Sequence, residues 1–94
     1  MKGHLYRITV EHLEDPKGNP VEVAPLSFQV KNHDDLNLIV QKVKEKGLFD
    51  EEDSTSLAIG LKLFREVMLK HRDSDVFAVL NPHFSEFMKD FKNR

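Results

Sequence analysis

Residues Ser54 to His71, STSLAIGLKLFREVMLKH, form the longest apolar run with helical spacing, and every other segment is too short to build a core without it. At about 100° per residue, Leu57, Gly60, Leu61, Phe64, Val67, Met68 and His71 fall on one side of a helix. Lys62, Arg65, Glu66 and Lys70 fall on the other. The spacing predicts a central helix over about 54–71 with the first side buried. Burying Leu57, Leu61, Phe64, Val67 and Met68 at roughly 1.5–3 kcal/mol each supplies about 7–15 kcal/mol of gross stabilisation. Ordering the chain costs roughly 1–2 kcal/mol per residue, so this helix cannot stand alone. Gly60 lies on the side expected to be buried, which points to a close backbone approach there. Gly60→Ala is then expected to destabilise by about 1–3 kcal/mol.

The first partner is a hairpin. From His4 to His12 the chain alternates, with Tyr6, Ile8 and Val10 on one face and Leu5, Arg7, Thr9 and Glu11 on the other. Leu13 to Pro20, LEDPKGNP, is dense in turn formers. A second strand is expected over about Val21 to Val30. Its phase changes at Ala24-Pro25, so a bulge or break belongs there and Leu26 to Val30 is the securely paired half. A lone two-stranded hairpin is marginal in water, so the pattern implies a hairpin lying on helices.

Two further helices follow from caps and spacing. Over about Asp34 to Lys46, Leu36, Ile39, Val40 and Val43 form a stripe; Asp34 or Asp35 caps the start and Gly47 supplies a left-handed stop. Asp50, Glu51, Glu52 and Asp53 open the central helix, where carboxylates suit the dipole. Val76 to Leu80 is too short for its period to separate strand from buried helix; Asp73, Ser74 and Asp75 as caps and Asn81-Pro82 just after favour a short helical turn. Asn81 is the expected N-cap and Pro82 the first residue of a last helix carrying Phe84, Phe87, Met88 and Phe91. The expected fold is α+β, an N-terminal antiparallel β-hairpin packed on three to four helices in ββααα order. At 94 residues it is expected to be a single domain, 1–94.

Charge narrows the partners. Fourteen Lys and Arg against sixteen Asp and Glu give a net charge of −2 with both signs mixed along the sequence, so nucleic acid is not an expected partner. No run approaches the roughly 18 apolar residues of a membrane span, and the start lacks the apolar core of a signal peptide. A cytoplasmic location is expected. No cysteine is present, which excludes disulfide and thiolate chemistry.

Sites for chemistry are sparse. Five histidines invite a metal, but His4 and His12 would lie about 26 Å apart along a strand. His33, His71 and His83 lack the i, i+4 spacing of a helical zinc pair. The acidic run 50–53 lacks the alternation of a calcium loop and reads as a solvated helix start. Glycines 3, 18, 47 and 60 are isolated, so no phosphate loop forms. No catalytic residue, metal ligand or cofactor is expected. Surfaces remain. Lys62, Arg65 and Arg72 line up around Leu69 on the outer face of the central helix, a solvated charged face or a contact for an acidic protein or small anion. The Phe84, Phe87, Met88, Phe91 stripe suits either core or helix-in-groove docking. The hairpin has two free edges, which would allow an edge-to-edge homodimer. A non-enzymatic protein-interaction module is the expected function. The alternative is a small-ligand binder or accessory enzyme domain with a pocket between hairpin and helices.

Several blocks carry a family likeness: Gly60 to Phe64, Glu66 to Leu69, His71-Arg72, and Pro82-His83-Phe84 with Glu86 to Lys89. Together with HLYRITVEHL at 4–13 and HDDL at 33–36, these resemble a small bacterial family known as domain of unknown function 3861, over nearly the whole chain. The resemblance implies a stand-alone bacterial protein of this length and supplies no activity, ligand or site residue.

Overall fold

The computed structural model describes residues 2–94 and has an α+β fold in ββααα order. The strands are β1 (His4–Val10) and β2 (Leu26–Asn32); the helices are α1 (Leu36–Glu45), α2 (Glu51–Lys70) and α3 (Asn81–Lys92). A 3₁₀ turn, Asp75–Phe77, precedes α3; it is helical as the caps before 76–80 favoured, and it covers only the start of that run. The chain divides into two compact units, 1–34 and 35–94.

In the first unit, β1 and β2 pair antiparallel with Tyr6 opposite Val30, Ile8 opposite Phe28 and Val10 opposite Leu26. Period two therefore gathers six apolar side chains on one face, while Arg7, Thr9, Ser27, Gln29 and Lys31 share the other with Leu5. The second strand starts only after Pro25, where the change of phase predicted a break. Before it the connection is tied by its own backbone: Val21 N–H donates to the Leu13 carbonyl at 3.0 Å, and Glu14 bridges to Pro20.

The loop tip is organised by Asp15. Its Oδ1 accepts the backbone N–H groups of Asn19 and Lys17, each at 2.9 Å, and Gly18 takes φ +86° to close the turn. The Asn19 N–H is the main cause that holds the Asp15 carboxyl below its ordinary value, with Lys17 N–H adding to it. A lowered folded value means that the tip gains stability while Asp15 is ionised. That gain is lost as pH falls through the lowered range.

At the other end of the hairpin, the Tyr6 hydroxyl donates to the Asp34 carbonyl at 2.8 Å, and Asp34 N–H donates to Asn32 Oδ1 at 3.0 Å. Asn32 is 2% exposed. Gly3 runs so close to it that a Cβ would sit 2.7 Å from the Asn32 carbonyl oxygen.

In the second unit each helix starts and stops on local chemistry. Asp35 caps α1 by accepting Leu38 N–H at 3.2 Å, and Gly47 at φ +67° provides the left-handed stop. Asp50 caps α2 through Asp53 N–H at 2.8 Å, with Glu51, Glu52 and Asp53 in the first turn. Asn81, the expected cap of the last helix, is instead its first residue. Leu80 takes the cap position, its carbonyl accepting Phe84 N–H at 2.8 Å, and no side chain caps the end.

The central helix is where expectation and structure diverge. Its buried residues are Ser54, Ala58, Glu66 and Met68; Leu57 and Leu61 are half-buried. Phe64 and Val67, expected inside, are 41% and 48% exposed, and Glu66, expected in water, is 8% exposed. Gly60 is exposed, and an added Cβ would meet nothing within 4 Å, so the close approach expected there does not exist.

The reason is that apolar residues encircle α2, from Leu57 through Ile59, Leu61 and Leu63 to Leu69, which leaves its phase undetermined. Small side chains decide it. Ser54 and Ala58, each 1% exposed, lie on its buried side, and α1 and α2 pack side by side. The core joins Val43 of α1, Ala58 of α2 and Phe91 of α3, with Ile39, Val40, Leu57 and Leu61 packed on it.

Candidate functional site

A chain of aromatic rings runs from α2 to α3 and then along α3. Phe64 meets Phe77 edge-on at 6.0 Å and Phe84 at 5.8 Å; Phe84 passes the contact to Phe87 at 6.4 Å, and Phe87 stacks on Phe91 at 5.8 Å. Such ring pairs are favourable at these spacings. The stripe expected on α3 is thus part core, part surface: Phe91 is buried, Phe84 and Met88 are half-buried, and Phe87 is 43% exposed.

Clefts open on the flanks of α3. The largest described, about 580 Å³, has an apolar floor of Ile39, Val43, Met88 and Phe91 and a rim of Lys42, Lys46, Lys62, Lys92 and Arg94. Glu45 is the one carboxylate on that rim. A second cleft of about 330 Å³ carries Arg65 beside Phe84, Glu86, Met88, Lys89 and Lys92. A third, of about 420 Å³, is lined by Leu48, Phe49, Leu57, Phe87 and Phe91, with Asp90 and Arg94 at its edge.

Rim cations of the largest cleft differ in what holds them. Lys46 donates to the Lys92 carbonyl at 3.3 Å and lies 5.3 Å from the centre of the Phe91 ring, a cation–π distance. That bond ties the C-terminal end of α1 to the C-terminal end of α3, and cations there offset the negative ends of both helix dipoles. Arg94 Nε pairs with Asp90 Oδ2 at 2.8 Å on the exposed surface. Lys62 has an interaction partner within the fold.

The four residues expected to form a partner contact are distributed along α2 and just past it. Lys62 enters the largest cleft and Arg65 the second, and these two clefts share Met88 and Lys92 as a common wall. Leu69 is 45% exposed and Arg72 is exposed, and neither lines either cleft. The cations of α1 and α3 that share these clefts were not singled out by sequence. The sign that could have found them is the pile-up of basic residues in two last turns, Lys42 and Lys44, then Lys89 and Lys92.

Among the described residues no three His, Asp or Glu side chains gather as a metal site, and no helix is long and apolar enough to cross a membrane. The acidic run at 50–53 serves as cap and first turn of α2. On the hairpin, the described sheet has two strands, so β1 and β2 each keep one free edge. Val10, Leu26 and Phe28, at the loop end of its apolar face, are 53%, 64% and 42% exposed.

The architecture has a solved counterpart. The crystal structure of a protein of unknown function from Pectobacterium atrosepticum is similar to it with a TM-score of 0.84 at 33% identity, over 99% of this chain and 100% of that one. No curated protein matches the chain. The model of the family described as Domain of Unknown Function with solved-structure structure (DUF3861) matches residues 4–93. The chain belongs to the DUF3861 family.

Proposed function

We propose that this protein is a non-enzymatic bacterial interaction module of the cytoplasm, and that its first partner is a second copy of itself, joined through the free edge of β2. The observation that carries this is the two-stranded sheet with an apolar face left exposed at its loop end. Unpaired strand edges are templates for another strand, and natural proteins protect them with charge, proline or cover. The edge strand β2 has little of that protection: in LSFQVKN only Lys31 is charged, and Pro25 lies before the strand. By contrast β1 carries Arg7 at its centre, and a two-fold pairing about that residue would set guanidinium against guanidinium.

A two-fold antiparallel pairing of β2 centred on Gln29 sets Gln29 against Gln29, Phe28 against Val30, and Ser27 against Lys31. The result is a four-stranded sheet with six apolar side chains from each copy on one continuous face. Three or more strands are the size at which a sheet becomes stable in its own right. The cationic stripe of Lys62, Arg65 and Arg72 around Leu69 is proposed as the surface through which such a dimer meets an acidic protein.

Light scattering on a sizing column tests the pairing. Wild type is expected at twice 10.9 kDa. Gln29→Lys and Gln29→Glu are each expected to run as monomers, because like charges face each other across the axis, and an equimolar mixture is expected to dimerise again. A monomeric wild type across the micromolar range overturns the reading, and so does a dimer indifferent to both substitutions.

A further inference from the structure

The cleft of about 580 Å³ beside α3 has a composition for which helix capping and core formation account only in part. Its floor is apolar, its volume of about 580 Å³ falls within the range of small-molecule sites, and five cations against one carboxylate stand on its rim. Helix C-termini explain some of those cations. Lys42 lies in the last turn of α1 and Lys92 in the last turn of α3, where positive charge complements the dipole. They do not explain Lys62. It sits in the middle of α2, far from any helix end, half-buried and turned to the same cleft. Only part of that excess is engaged within the fold: Asp90 takes Arg94, the Lys92 carbonyl takes Lys46, and Lys62 has a partner of its own, whereas Lys42 and Lys92 form no ion pair among the described residues.

We propose that this cleft binds a small amphipathic anion, an apolar chain whose anionic head is met by Lys42, Lys62 and Lys92. The chain lies on Ile39, Val43, Met88 and Phe91. Charge complementarity selects this occupant: a neutral apolar ligand would leave ammonium groups facing hydrocarbon, and a cationic one would meet like charge. Glu45 is the single carboxylate against five cations in the lining, so the cleft as a whole carries positive charge. Phe91 is held by stacking on Phe87 and by the Lys46 ammonium, so the floor is formed before a ligand arrives. This site lies within residues 39–94 and does not depend on the pairing of β2.

The test is a two-dimensional amide NMR titration of the full chain with decanoate below its micelle concentration. Saturable shifts are expected at Ile39, Lys42, Val43, Met88 and Phe91. Decyltrimethylammonium, which has the same chain and the opposite charge, is expected to leave them in place. The double variant Lys42→Glu, Lys92→Glu changes two exposed side chains and is expected to keep the wild-type spectrum while weakening decanoate binding by about tenfold or more. The same pair changed to Arg is expected to bind as wild type. The proposal is overturned if decanoate shifts nothing at millimolar concentration, or if both amphiphiles shift the same amides. Shifts centred on Val10, Leu26 and Phe28 of the hairpin, or binding unchanged in the Glu variant, overturn it as well.

Discussion

The hairpin and the helical unit solve the same problem, which side to hide, with different kinds of information. In the hairpin, period two admits only two faces, and every large apolar side chain of the paired region except Leu5 falls on one of them. Position in sequence then equals position in space. On α2 the large apolar residues go all the way round, so several rotations of the helix bury comparable area. There the deciding residues are the smallest ones. Close approach of two helix backbones needs positions without bulk, and Ser54 and Ala58 are those positions.

The sharpest attack on this contrast is to give Ala58 the bulk that it lacks. Ala58 is 1% exposed in the cluster with Val43 and Phe91. Ala58→Leu forces three more carbons into that contact and is expected to cost about 3 kcal/mol, near the upper end for overpacking. Chemical denaturation gives the number, and amide exchange should speed up along α1 and α2. Phe64→Ala provides the counterweight: it removes far more volume from a side chain 41% exposed. If Phe64→Ala proved the costlier of the two, large residues would set the phase after all and the contrast would fail.

Legibility follows the same division. The strands, the turn, the break at Pro25 and the Gly47 stop could be read from residues, and the α1 cap narrowed to Asp34 or Asp35, because each depends on neighbours within a few positions; Asp50 read as a dipole-favoured carboxylate, not as the cap that it is. The face of α2 could not, because it depends on which helix comes close and where. The clefts were hidden for a related reason. They lie where side chains of α1, α2 and α3 leave space between them, and a list of residues does not say where three helices fail to close on one another. Of the site, Lys62 and Arg65 were visible as exposed-face cations, whereas Lys42 and Lys92, last-turn residues of α1 and α3, gave no sign of a shared cleft.

Glycines carry the contrast to single atoms. Gly3 is the tight position of the hairpin unit, since a Cβ there would stand 2.7 Å from the Asn32 carbonyl oxygen and 3.1 Å from its carbon. The neighbour has little freedom to yield: Asn32 is 2% exposed and its side chain holds Asp34 N–H. Gly3 itself can yield, because it flanks β1 rather than lying within it. Gly3→Ala is therefore expected to destabilise by about 1 kcal/mol, the low end for an inserted methyl. The loss should appear as faster amide exchange at the His4 end of β1. Wild-type exchange there would mean that the flank absorbs the methyl freely and that the close approach has no energetic content.

Gly60 is expected to move stability the other way and by the least. It lies inside α2, exposed, with open space where a Cβ would go. Nothing is gained from its missing side chain, and glycine in a helix interior loses more backbone entropy on folding than alanine does. Gly60→Ala should therefore stabilise by about 0.5–1 kcal/mol, raising the denaturation midpoint with an unchanged slope. The opposite sign, which the sequence pattern predicts, would require a contact at Gly60 that only an occupied surface could provide. A variant less stable than wild type, or one whose deficit grows with protein concentration, would mark that face of α2 as covered in solution. An increase independent of concentration leaves it bare, with Ala58 as the position that fixes the helix.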